Sequence, residues 1–91
     1  MVRRQFRSTA LGTLHEQWLA HKQIGSVGDY RRKFIELLAP LDRVPEEIAK
    51  GQFLNGLKEE VRVEVRLLGP HSLDSAMDLA LMVEDLSLIH I

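Results

Sequence analysis

An all-α fold, a small bundle of about four or five short helices, is what this sequence predicts, and three observations predict it. Apolar residues recur at intervals of three and four along successive stretches of the 91-residue chain. Glycine, proline and serine stand between those stretches, where helix stops and starts belong. The one segment that alternates strictly, VRVEVR at 61–66, has no second alternating segment to pair with.

The opening segment reads as a broken helix. RRQFR closes one piece, Gly12 interrupts, and TLHEQWLAHKQI follows with Leu14, Trp18 and either His21 or Lys22 on one face. Gly25 stops the chain and Ser26 starts the strongest element. Ser26 with Asp29 three residues on resembles a capping box, with Asp in place of the usual Glu or Gln. Val27, Tyr30, Phe34, Leu37, Leu38 and Leu41 then recur at helical spacing, with Arg31, Arg32, Lys33 and Glu36 largely on the other side. Pro40 disfavours helical geometry at Ala39, so this helix ends there.

Pro45-Glu46-Glu47 is a helix opening: proline in the first position loses no needed N–H, and the acids meet the positive end of the dipole. Ala49, Phe53 and Leu57 line one side, and Asn55-Gly56 marks the stop. By period alone VRVEVR is a strand, yet Leu57, Val61, Val65 and Leu68 also form a helical stripe, and Lys58-Glu59-Glu60 is a good first turn. Helix is the reading adopted. Gly69-Pro70 breaks the chain again and Ser72 caps a last helix, whose buried stripe is Leu73, Ala76, Met77, Ala80 and Leu81, widened by Leu79, Met82 and Val83.

Composition narrows the function classes. Lys plus Arg total 12 against 13 Asp plus Glu, a balance unlike that of a polyanion-binding domain. Cysteine is absent, which removes disulfides, thiolate zinc sites and cysteine nucleophiles together. The N-terminus has no continuous apolar core of the secretory kind, and no stretch approaches the roughly 18 apolar residues of a membrane span. A cytoplasmic protein without cofactor, small-molecule substrate or membrane is the expectation.

The order of the pieces carries a resemblance. Gln23-x-Gly25-Ser26-Val27-x-Asp29-Tyr30 with Phe34, then Phe53-Leu54-x-Gly56-Leu57, then Pro70-x-Ser72-Leu73 with Ala76, resembles the capsid portion of the Gag polyprotein of gypsy-type LTR retrotransposons. The likeness covers residues 14 to about 85 and implies a domain like the C-terminal lobe of retroviral capsids. Within the family, the Gln-Gly turn and its helix are similar to the major homology region. The resemblance implies that Gln23 hydrogen-bonds the turn backbone, that Gly25 permits a tight reversal, and that Tyr30 and Phe34 anchor the helix in the core, with Ser26 and Asp29 at its start. The turn is shorter than the retroviral one, and no glutamate stands between the glycine and the aromatic helix, so the retroviral polar network does not carry over whole.

The same resemblance implies a division into residues 1–20 as the remnant of an upstream lobe and linker, 21–85 as the capsid-like domain, and 86–91 as a non-native tail. That tail, LSLIHI, is similar to a translated transposase adapter used in preparing sequencing libraries. The implied function is non-catalytic self-assembly into a virus-like shell. The partner is the chain itself, with RNA bound only indirectly through a downstream zinc-knuckle region that this sequence lacks. A host-reused, Gag-derived dimerising adaptor is the alternative. Ile48, Lys50 and Gln52 on the helix after Pro45 are candidates for self-association, with a core role for Ile48 equally open. Trp18 is either a further contact, in a residue type enriched at interface centres, or core packing.

Enzymatic and metal readings find little in the residues. His15 and His21 are six apart, off a common helix face, and no HExxH spacing occurs. GSVG lacks the Walker pattern, and no GxSxG elbow is present. Arg31-Arg32-Lys33 reads as a solvated face with Arg32–Glu36 as an available ion pair. A helix-turn-helix DNA binder needs a basic recognition helix, whereas 58–68 mixes three glutamates with Lys58, Arg62 and Arg66.

Overall fold

The computed structural model describes residues 14–86, and every regular element among them is helical. The helices are α1 (residues 14–20), α2 (Val27–Leu38), α3 (Glu46–Gly56), α4 (Glu59–Leu68) and α5 (Leu73–Leu86). The RRQFR segment, Gly12 and positions 87–91 of the tail lie outside the described residues.

The anticipated caps form, with some changes of partner. Ser26 Oγ accepts the Asp29 N–H at 3.1 Å, and Ser72 Oγ accepts the Ser75 N–H at 3.1 Å. Asp29 pairs forward with Arg32 at 3.1 Å, and Lys33 in place of Arg32 approaches Glu36, at 4.0 Å. Pro45 is the extended N-cap residue of α3, one position before its expected place at the first helical residue. Its fixed φ suits either position. Helix α2 ends at Leu38, close to the expected stop. Ala39 nevertheless keeps helical φ and ψ and its N–H still donates to the Ile35 carbonyl at 2.9 Å, so Pro40 does not force Ala39 out of the helical region. Leu41 stays buried, its N–H turned back to the Leu38 carbonyl at 2.9 Å.

VRVEVR is helical. Val61 and Val65 are buried, while Val63 between them is exposed. A strand would put all three valines on one face; a helix puts the outer two together, four apart, and turns the middle one away. Gly69, with φ +67°, ends α4 in the left-handed conformation that glycine adopts without a Cβ penalty.

Helix α5 is the hub, packing against α2, α3 and α4. Its central contacts are small: Ala76 and Ala80 are fully buried, which lets neighbouring helices approach closely. The core around it gathers Val27, Tyr30, Phe34, Phe53, Leu54, Leu57, Val65, Met77 and Val83. Two residues of the expected stripes face outward instead: Leu68 is half exposed, and Met82 is 43% exposed. Arg31 is half-buried on α2, unlike exposed Arg32 and Lys33 beside it.

Candidate functional site

The chain between α1 and α2 is fastened to the junction of α3 and α4 by a single residue. Gln23 is the one buried polar residue among those described. Its backbone N–H donates to the Gly56 carbonyl at 2.7 Å. Its side-chain Nε2 donates to the Gly25 carbonyl at 3.0 Å, and Oε1 accepts the Lys58 N–H at 2.9 Å. One amide therefore satisfies backbone groups on its own turn and on a loop 35 residues away. Buried amides left unpaired are costly, so Gln23 fixes both turns in one arrangement.

Gly25 takes part through its carbonyl. Its φ is not in the left-handed region, where Gly69 is the one glycine among the described residues, and a Cβ would lie 3.9 Å from the Asp29 carboxylate, an ordinary contact. The reversal at 23–26 therefore does not draw on glycine's conformational freedom.

The start of α2 receives a second acceptor from far along the sequence. Glu84 on α5 accepts the Val27 N–H at 2.8 Å across 57 residues. A carboxylate against a helix N-terminus meets both an unfilled donor and the positive end of the dipole. Glu46, at the start of α3, does the same for α5 by accepting the Leu73 N–H at 2.9 Å. No glutamate precedes α2 in its own turn, but one reaches its N-terminus from α5.

Tyr30 and Phe34 lie in an aromatic stack that ties α1, α2 and α3 together. Phe34 meets Phe53 edge-on at 5.2 Å, Tyr30 meets Phe53 at 5.1 Å, and Trp18 meets Phe34 at 5.7 Å. The Tyr30 hydroxyl donates to the Phe53 carbonyl at 2.9 Å, and burial pushes its phenol well above the ordinary value near 10. His21 stacks on the Tyr30 ring with centroids 4.7 Å apart. Gly56 is required by this stack. A Cβ there would fall on the Tyr30 hydroxyl and 2.8 Å from the His21 carbonyl oxygen.

The candidate contact residues are placed very differently from one another. Trp18 is buried, and its Nε1 has no hydrogen-bond partner. Gln52 Nε2 donates to the Leu19 carbonyl at 2.8 Å, closing the end of α1. Lys50 is largely covered and reaches the Pro70 carbonyl at 3.5 Å and Glu47 at 3.7 Å. Ile48 alone of the four offers apolar surface, at 56% exposure.

Two roles in this site are not legible in the sequence: the room Gly56 leaves for Tyr30, although Gly56 itself stands in the motif, and the reach of Glu84 to the start of α2. Asn55-Gly56 reads as a helix stop, and Glu84 is one acid among several near the end of α5. No group of three or more His, Asp or Glu side chains suited to a metal ion occurs among the described residues. No helix among them is long and apolar enough to cross a membrane. The polar atoms gathered at the turn bind backbone, and the arrangement is a structural brace. Compared with models of known protein families, with curated proteins and with solved structures, the chain matches none of them.

Proposed function

We propose that this chain is a structural self-assembly module, the C-terminal capsid-like domain of a gypsy-type LTR retrotransposon Gag protein, whose copies pack into a shell around element RNA. The observation that carries the reading is the Gln23 brace. The resemblance to capsid proteins assigns Gln23 the task of hydrogen-bonding its own turn and assigns Tyr30 and Phe34 the task of anchoring the helix that follows. Those residues stand in such positions here, with Nε2 on the Gly25 carbonyl and both rings buried.

A rigid brace suits an assembly protein. Shells are held by many weak contacts, and the stability of the whole comes from their number. Each copy must then present its contact surfaces in a fixed geometry, because flexibility would be lost at every contact. The all-helical core, tied at both turns by one buried amide, supplies that fixed geometry.

Chemical cross-linking of the full chain over a concentration series tests the reading. A ladder extending past the dimer, growing with concentration, is the expected result. A series that stops at dimer would point to the dimerising adaptor, and monomer throughout would remove both.

A further inference from the structure

Helix α4 has an outer face that is apolar at its centre and charged with opposite signs at its two ends. Val61 and Val65 turn inward, so the side opposite them carries Glu59, Glu60, Val63, Arg66 and Leu67. Val63 is 49% exposed and Leu67 81% exposed, four residues apart and hence stacked along the face. At the N-terminal half, Glu59, Glu60, Val63 and Glu64 line a shallow open depression of about 410 Å³. At the C-terminal half, Leu67 projects and Arg66 follows the same side.

These features complement each other only when the helix is turned end for end. We infer that α4 is a self-association surface on which a second copy of this chain pairs antiparallel, about a two-fold axis at Val63. The axis sets position 63 + n of one copy against 63 − n of the other. Leu67 of each copy then enters the depression between Glu59, Glu60, Val63 and Glu64 of the other, and Arg66 faces Glu59 and Glu60. A two-fold contact uses one patch twice, so each favourable pair occurs twice.

Arg66 is available for this role. Its Nη2 donates to the Asn55 side-chain oxygen at 3.0 Å, which holds the side chain in place and leaves other donors of the guanidinium open. Arg62, by contrast, turns toward the carbonyls of Asn55 and Leu57. A ten-residue helix is about 15 Å long, so the contact is smaller than a standard interface and the pairing is weak. It is also a different helix from the one carrying Ile48. The inference stands apart from the capsid reading, since it rests on the α4 face alone.

The absence of cysteine makes the test clean, because a single introduced thiol has only its own copy to meet. Val63→Cys, placed on the axis, is expected to give a disulfide-linked dimer under mild oxidation. Facing Cα atoms of packed helices come within disulfide range. Ile48→Cys on α3 is the comparison. A second pair of variants reads the charges: Glu59→Lys/Glu60→Lys and Arg66→Glu are each expected to weaken association by about tenfold or more, because like charges then oppose each other. Mixing the two is expected to restore it, and circular dichroism of each alone confirms that it folds.

Cross-linking at position 48 and none at 63 overturns the α4 pairing while leaving self-assembly standing. Failure of the mixed pair to recover overturns it too, as does full-length chain that stays monomeric. Unchanged association of both charge variants shows that another segment, such as the tail, is what pairs.

Discussion

Gln23 is replaceable by no apolar residue of similar size. A leucine there fills the volume but leaves the Lys58 N–H and the Gly25 carbonyl without partners, and it retains only the main-chain bond to Gly56. Gln23→Leu is expected to destabilise the domain by about 1–3 kcal/mol, the penalty of enclosed unsatisfied groups. Gln23→Glu keeps an acceptor for Lys58 but cannot donate to Gly25, so it also loses stability. Urea denaturation of the two variants measures both, and a neutral Gln23→Leu would contradict the brace.

Gly56 and Tyr30 act as a pair. Gly56→Ala drives a methyl into the Tyr30 hydroxyl, an overpacking expected to cost about 1–3 kcal/mol. Tyr30→Phe removes the buried bond to Phe53 for about 1 kcal/mol and also removes the nearest of the atoms the methyl strikes, leaving the ring Cζ and the His21 carbonyl oxygen, each 2.8 Å away. The double variant is therefore expected to lose less than the sum of the two singles. Full additivity in denaturation would show that the methyl finds room elsewhere. Because Tyr30 is the sole tyrosine, its titration can also be followed by tyrosinate absorbance. Its phenol is raised in the folded state, so the associated stability is intact below the ordinary pKa near 10 and falls as pH rises beyond it. Tyrosinate should appear above that pH only together with unfolding.

At the scale of elements, two helix starts depend on carboxylates from other helices. Val27 is fully buried, so its N–H has little recourse to water when Glu84 is removed. Glu84→Ala is expected to destabilise by about 1–2 kcal/mol, and Glu46→Ala by less, because Leu73 is only half-buried and its bond is exposed. Thermal unfolding ranks the two, and the reverse order would mean that burial of the N–H is not what decides. Such long-range caps explain where the sequence stops being informative. Ser26 and Ser72 were legible as caps because their partners lie three residues away. Glu84 and Glu46 were not, because nothing local distinguishes an acid that reaches a distant helix start from one that faces water.

The same division runs through the fold. The five helices among the described residues follow from spacing and breakers, and VRVEVR is helical because Leu57, Val61 and Val65 then line up on the buried side. What the period could not supply was packing across helices. By spacing Leu68 belongs to the buried stripe, three after Val65, yet at the end of α4 it stays half exposed. Gly56 was read as a stop, while its larger role is to make room for a ring 26 residues away, a relation visible only once α2 and α3 lie together.

For the whole molecule, the brace, the aromatic stack and the α5 hub describe a small rigid body with exposed apolar positions on separate helices, Ile48 on α3 and Val63 and Leu67 on α4. A body with more than one such surface can extend beyond a closed pair, which is what shell building requires. The contact proposed on α4 falls below a standard interface, so the proposed association is expected to depend steeply on concentration. If Arg66 pairs with Glu59 and Glu60 of a second copy as proposed, added salt weakens it further.

Light scattering of the full chain on a sizing column, over a dilution series, tests that claim most directly. The account predicts a mass that climbs from monomer at low concentration through dimer and beyond as concentration rises. A mass that stays at one chain, 10.4 kDa, at every concentration would contradict it.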